Sequence, residues 1–358
     1  MAESWFSLSP DDQREALEVA AAASGWPAYL LEKDIWLVWA LQSLGADEQL
    51  LASLTFKGGT SLSKAHGLIE RFSEDVDLTL NIKHLWPEAD LSPAANPTQA
   101  QKRRKDADRK LKQWVKEIPL PLLQRAVAAA GVPVDLSLKA ADPDRRQPPT
   151  LVLSYQPLIQ VPDGSFGYVR PTVLLEFNAH CTGEPHAAMA VTCEAATHLT
   201  MLAFPDANPL VMDPKRTFLE KAAAVHVACR KGSWGSGEGD RYSRHWYDLD
   251  RLASAGIAEA AMRDQALAME VAQHKEDFWR KPPIDYVQAL SGDLQLVPTG
   301  AGWLALEADY AAMVGSGMLR GQPPRFAELM ERMASLELVC NANARSIANK
   351  KAPPKAGL

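Results

Sequence analysis

"FKGGTSLSKAHGLIERFSEDVDLTL", residues 56–80, is the stretch on which the reading of the fold turns. Its end, continuing as "EDVDLTLNI", alternates acidic and apolar side chains with the two-residue period of a strand. The apolar "LLASLTF" ahead of the glycines is a second strand signal, and "TSLSK" after them can open a short helix. A strand, turn, short helix, strand unit is predicted. On the second strand Asp75 and Asp77 emerge side by side, with Val76 on the other face. Two like charges so close repel; a divalent cation between them offsets that, and hard oxygen ligands select Mg²⁺ or Mn²⁺. Gly58 and Gly59 permit a turn whose backbone N–H groups approach a phosphate, with a helix N-terminus adding positive potential. A phosphate cradle followed by a metal clamp is one reading. A plain strand-to-helix turn beside a solvated strand edge is the other. The spacing is not that of a Walker A loop.

Outward from this unit, "SPDDQREALEVAAA" and "AYLLEKDIWLVWALQSL" predict two N-terminal helices. A loop, "WPEADLSPAANPTQ", leads into one long charged helix from about Gln99 to Ala130. "VDLSLKA", "TLVLSYQ" and "PTVLLEFNA" are three further strands. From about residue 195 the pattern turns helical, in "DPKRTFLEKAAAVHVACRK", "RHWYDLDRLASAG", "IAEAAMRDQALAMEVAQHKEDF" and "RFAELMERMASLELVCNANA". The expected architecture is an α/β core with a mixed sheet followed by a C-terminal helical domain. Residues 1–45 would pack as helices on a core of 46–195, 196–350 would form the helical domain, and 351–358 a flexible tail.

The 358 residues, 47% hydrophobic and 23% charged, have the composition of a globular protein and exclude disordered and fibrous classes. No basic leader with an apolar stretch opens the chain and no membrane-length apolar run occurs, so a cytoplasmic protein without a membrane partner is expected. Cys181, Cys193, Cys229 and Cys340 have neither zinc nor disulfide spacing and are expected as buried thiols. With a net charge of −6, any basic surface must be local.

Three further positions carry chemistry. Glu176 shares a strand face with Leu174 and Asn178 and sets an acid in the middle of an apolar strand, where burial is costly unless compensated. A metal would compensate it, since three carboxylates from two strands match a two-Mg²⁺ site for phosphates; a lysine or arginine across the sheet would also serve. Lys221 has Phe218, Ala224, Val225 and Ala228 as helical neighbours. It therefore either meets an anion or runs its stem along the apolar face to water. Asp248 has Arg244 and Arg251 within helical reach as surface partners. "QKRRKDADRKLKQWVK", residues 101–116, carries eight basic side chains against two acidic ones. Lys102, Arg103, Arg104, Lys105, Arg109 and Lys110 are its candidate RNA contacts, or form a solvated helix face.

The opening stretch, with "LEKDIWLVWAL" before it and "RPTVLLEFNA", "RTFLEKAAAVH", "RYSRHWYDLDRL" and "HKEDFWR" after it in that order, resembles the AbiEii/AbiGii-type nucleotidyltransferase toxins. These belong to the polymerase-β-like nucleotidyltransferase superfamily and to the type IV toxin–antitoxin class. The resemblance implies that Gly58, Gly59, Thr60 or Ser61, and Lys221 hold a nucleoside triphosphate, and that Asp75 and Asp77 bind Mg²⁺ or Mn²⁺. It makes Asp248 a residue needed for activity and Glu176 a third carboxylate that helps activate the acceptor hydroxyl. It places Lys221 and Asp248 in a cleft with the core, and implies transfer of NMP to an RNA, foremost the tRNA 3′ end, in toxin–antitoxin or phage-defence systems with a cognate antitoxin. The glycine-rich "GSWGSGEG" at 232–239 departs from the family pattern and is read as a possible cover over the site. Nucleotidylation of a protein, a nucleotide- or partner-binding module without catalysis, and a metal-dependent nuclease are the alternatives; for the last the Gly-Gly cradle is superfluous.

Overall fold

The computed structural model of the chain describes residues 2–92, 94–140, 147–160, 169–232, 241–280 and 282–351. The glycine-rich run, apart from Gly232, and the tail beyond Lys351 lie outside the described residues. The chain forms two units: the first comprises Met1–Leu91, Lys102–Asp213 and Ser316–Gly321, the second Ser92–Gln101, Pro214–Gly315 and Gln322–Leu358.

The strands are β1 (Glu3–Ser4), β2 (Leu54–Lys57), β3 (Asp75–Leu80), β4 (Val134–Leu138), β5 (Thr150–Tyr155), β6 (Thr172–Asn178), β7 (His186–Ala188), β8 (Val191–Thr192), β9 (Leu202–Ala203), β10 (Asp206–Ala207) and β11 (Leu210–Met212). The helices of the first unit are α1 (Pro10–Ser24), α2 (Ala28–Leu44), α3 (Glu48–Ser53), α4 (Gly58–Lys64), α5 (Ile82–Leu85), α6 (Pro97–Glu117) and α7 (Pro119–Ala130), α6 belonging to it from Lys102 onward. A seven-stranded mixed sheet runs in the order β4-β5-β6-β3-β2-β11-β7. β2 lies antiparallel and β6 parallel to β3. Alternation separates its faces: Phe56, Val76, Leu78, Val173, Leu175, Phe177, Leu151 and Leu153 are all buried on one.

Helix α2 belongs to the same hydrophobic core as these strands. Every residue of it except Ala28 and Gln42 is buried, including the consecutive Glu32, Lys33 and Asp34. The helix expected for this segment is present, and because it is wrapped on all sides each of its charges needs a partner. Lys33 Nζ donates to Glu74 Oε2 at 2.7 Å and to the Arg170 carbonyl at 2.9 Å. Asp34 pairs with Lys64 Nζ at 2.7 Å and accepts from the Glu194 N–H at 2.6 Å. Glu32 accepts from the N–H groups of Leu158 and Ile159 at 2.8 and 3.2 Å. Burial pushes its pKa up to about 6, with those two hydrogen bonds acting the other way.

Residues 316–321 return to this unit, where Arg71 forms an antiparallel bridge with Leu319. The Phe72 N–H donates to the Met318 carbonyl at 2.6 Å, and the Arg320 N–H to the Glu70 carbonyl at 2.9 Å.

Three expectations are corrected. The long charged helix is two, α6 and α7, because Pro119 at the first position of α7 has no N–H to donate to the preceding turn. The piece from Ile257 is also two helices, since the Asp264 side chain accepts from the Leu267 N–H at 3.2 Å and starts a new one. Near residue 195 there is only a 3-10 turn, Glu194–Thr197; β9, β10 and β11 follow before the next α-helix, and the sheet takes β11. The second unit holds α8 (Pro214–Lys231), α9 (Ser243–Ser254), α10 (Ile257–Arg263), α11 (Gln265–Trp279), α12 (Tyr286–Leu290), α13 (Ala301–Gly315) and α14 (Phe326–Lys351). All four cysteines are free and buried, as expected. Among the described residues no helix is long and apolar enough to cross a membrane.

Removing one partner of a buried pair strands the other, so Lys33→Met is expected to cost about 3–5 kcal/mol in denaturant unfolding. A second expectation concerns acid. His226 is buried, accepts from the Gln295 N–H at 3.0 Å, and has its pKa lowered to about 4 by burial and by Arg230. The unfolded imidazole binds a proton that the folded one refuses, so this stabilisation is complete above pH 6.5 and is lost as pH falls towards 4, by roughly 3 kcal/mol. His226→Gln, which keeps an acceptor and cannot titrate, should flatten the dependence of the unfolding midpoint across that window.

Candidate active site

The chain leaves β2 at Lys57 and enters α4 at once through Gly58, whose φ of +78° lies in the left-handed region. A Cβ there would run into the Asp77 carboxylate, so the missing side chain is what lets Asp77 lie against the turn. At Gly59 a Cβ would meet Arg71 Nη2 and, at 2.7 Å, Ser73 Oγ. The glycine pair thus admits an acid on one side and a guanidinium on the other. Thr60 and Ser61 are fully buried. The Thr60 hydroxyl donates to the Asp75 carbonyl and lies 2.9 Å from Ser73 Oγ, while Ser61 donates to the Gly58 carbonyl at 3.0 Å. The Thr60 hydroxyl thus fastens the turn to β3, and that of Ser61 closes the turn on itself.

Register then assembles the carboxylates. Asp77 stands opposite Glu176 on β6 and opposite Lys57 on β2, while Asp75 stands opposite Leu174. Side chains at paired positions share a face, so Lys57, Asp77 and Glu176 form one rung across three strands, with Asp75 two residues along. Asp75, Asp77 and Glu176 are all half-buried. The cost expected for burying Glu176 in an apolar strand is therefore not incurred: Val173, Leu175 and Phe177 take the buried face, and Glu176 falls by parity on the other. Among the described residues no group of three or more His, Cys, Asp or Glu side chains is arranged to hold a metal ion by itself. A pair of aspartates is nonetheless the donor set Mg²⁺ ordinarily takes from a protein when phosphates and water supply its other ligands.

In the second unit, Lys221 Nζ lies 2.9 Å from Asp248 Oδ2, joining α8 to α9. Both are buried, Asp248 completely. The inward lysine thus has its anion in Asp248, which turns into the unit and not towards a surface bridge; Arg251 binds Asp250 at 2.6 Å. His245 Nδ1 is 3.5 Å from the same ammonium.

On α6, Lys102, Lys105 and Arg109 are exposed and Arg104 half-buried. Arg103 is buried, 3.9 Å from Asp90 Oδ2, and Lys110 lies over the Trp86 ring at 5.3 Å. Sequence reasoning missed Lys57 and Arg71. Lys57 enters the carboxylate rung through antiparallel register, and Arg71, itself buried, reaches Gly59 through a turn; neither leaves a periodic signal in the chain.

The sequence model of the nucleotidyl transferase AbiEii toxin family, of type IV toxin–antitoxin systems, matches residues 39–332. The chain belongs to that family. As an AbiEii member it is a nucleotidyltransferase toxin, and its mixed sheet with a helical C-terminal region is the architecture the resemblance implied. Among solved structures it is similar to MenT4, a nucleotidyltransferase toxin from Mycobacterium tuberculosis H37Rv. Identity is 18%, the match covers 93% of this chain and 97% of that one, and the TM-score is 0.47. No curated protein matches the chain.

Gly58→Ala tests the turn directly. The added methyl must push the Asp77 carboxylate aside; if Asp77 belongs to the transfer site, as the resemblance implies, a shift of about 1 Å costs on the order of 100-fold in rate. Nucleotide transfer should fall by at least that much in a protein whose circular dichroism is that of the wild type.

Proposed function

We propose that this AbiEii toxin transfers a nucleoside monophosphate from an NTP to the 3′ end of an RNA, tRNA foremost, releasing pyrophosphate and halting translation and growth until a cognate antitoxin restrains it. Toxin–antitoxin control, including phage defence, is the setting this reading fits. The observation that carries it is the placement of Asp75, Asp77 and Glu176 on one sheet face, beside a glycine turn that admits the Asp77 carboxylate.

In this reading Asp75 and Asp77 hold Mg²⁺ or Mn²⁺, which when bound neutralises charge on the triphosphate and polarises the attacked phosphorus. The Gly58–Gly59 turn receives phosphate oxygens on its backbone N–H groups. Glu176, one strand away from Asp77, accepts the proton of the attacking RNA hydroxyl. The hydroxyl oxygen bonds to the α-phosphorus as the bond to the β-phosphate oxygen breaks, and pyrophosphate leaves with the electron pair. Lys221 contacts phosphate, and Asp248, buried against it at 2.9 Å, orients the ammonium. Lys57, on the Asp77 rung, limits repulsion among the carboxylates before substrate enters.

Purified protein incubated with total tRNA, Mg²⁺ and each α-³²P-labelled NTP in turn should label tRNA with at least one of the four. Asp77→Ala and Lys221→Ala should each lower the label by roughly three orders of magnitude, the scale of losing a main electrostatic contact in a transfer site. Label on protein instead of RNA would move the acceptor, and wild-type label from Asp77→Ala would refute the site.

A further inference from the structure

Helix α6 carries eight basic and three acidic side chains in a chain whose net charge is −6. Its inward side is apolar: Ala107, Leu111 and Val115 are buried, and Trp114 packs edge-on against Phe177 with ring centroids 5.9 Å apart. The exposed cations are Lys102, Lys105, Arg109, Lys112 and Lys116, spaced by three, four, three and four residues. At 100° per residue these five fall within roughly 80° of the helix surface and run along about 21 Å of its length. They form a single straight stripe. Lys112 and Lys116 belong to it, whereas the buried Arg103 and the Trp86-bound Lys110 do not.

The acids of the helix leave the stripe largely uncompensated. Asp108 is drawn to His180 Nε2 at 2.7 Å, and Glu117 is hydrogen-bonded by Gln113. Among the described residues Asp106, half-buried, meets Arg109 at 3.4 Å. Like charges at this spacing destabilise an isolated helix, and nothing in the packing of α6 requires five of them on its outer side. A row of regularly placed phosphates is their complement.

We propose that this stripe docks the sugar–phosphate backbone of a base-paired RNA stem. Recognition of a short single strand relies on aromatic platforms for stacking bases, and the outward side of α6 offers none, its one tryptophan being turned onto Phe177. Binding through phosphates alone reads the shape of a stem without reading its sequence. The toxin would therefore select folded RNA by a surface separate in role from the residues that select the NTP.

This rests on the RNA-acceptor reading, so the test measures binding with no NTP present. Fluorescence anisotropy of labelled total tRNA against the full chain would be followed across a KCl series. The triple variant Lys105→Ala, Arg109→Ala, Lys112→Ala should bind at least 10-fold more weakly, and the slope of log affinity against log salt should fall by about 2 to 3, one contact being worth about 0.7 to 0.9. Alanine raises helix propensity and relieves the repulsion, so the variant should melt no lower than wild type. Arg109→Glu alone should weaken binding, whereas Arg263→Glu, an equal charge reversal on the exposed side chain of α10, should not. An unchanged affinity and slope in the triple variant overturns the proposal, as does wild-type protein that binds no tRNA. An equal loss on a 12-nucleotide unstructured strand overturns the stem. Stripe-dependent tRNA binding by a protein that labels no RNA would instead refute the transfer reading and leave this one standing.

Discussion

Three consecutive charges inside a buried helix govern the arrangement of the first unit. Successive residues of a helix point about 100° apart, so Glu32, Lys33 and Asp34 cannot share a partner and must each draw in a different segment. Lys33 takes Glu74, the residue before Asp75, and Asp34 takes Lys64, at the end of α4. The two ends of the connection from α4 to β3 are thereby tied to adjacent positions of one helix. Such pairs add little net stability over apolar packing, yet each is costly to break from one side. They define which arrangement is folded more than how stable it is.

The same logic explains the glycine pair. A turn and a phosphate cradle were rival readings of Gly58 and Gly59, and geometry makes them compatible. The positions lack side chains because the Asp77 carboxylate and the Arg71 guanidinium occupy the space that a Cβ would need. An acid held against the start of a helix sits where backbone N–H groups are unsatisfied, which is also where an anionic substrate would approach.

Legibility followed the range of the interaction. The alternation in β3 and β6 showed that Asp75, Asp77 and Glu176 lie on strands, because parity is a local property. That Asp77 faces Glu176 depends on a parallel register between segments about a hundred residues apart, which no spacing encodes. The pairing of Lys221 with Asp248 was out of reach for the same reason, although the need of an inward lysine for an anion was visible. Two breaks are local and written in the chain: Pro119 between α6 and α7, and the capping Asp264 between α10 and α11. In α2 the apolar spacing showed the helix, but the partners of "EKD" lie on distant segments and left no mark in its own sequence.

The pairing of residues 70–72 with the short segment 316–321 bears on biosynthesis. A ribosome makes the acid-bearing strand early, but the backbone partners of the residues leading into it emerge some 240 positions later. At about 5–20 residues per second, that interval lasts on the order of ten seconds or more. Until it closes, the amide of Phe72 and the carbonyl of Glu70 lack the partners that hold them in the finished fold. A nascent chain would thus hold β3 and its strand partners before the segment that pairs with residues 70–72 exists. The order of synthesis thus separates the making of β3 from the closing of the backbone pairing just ahead of it.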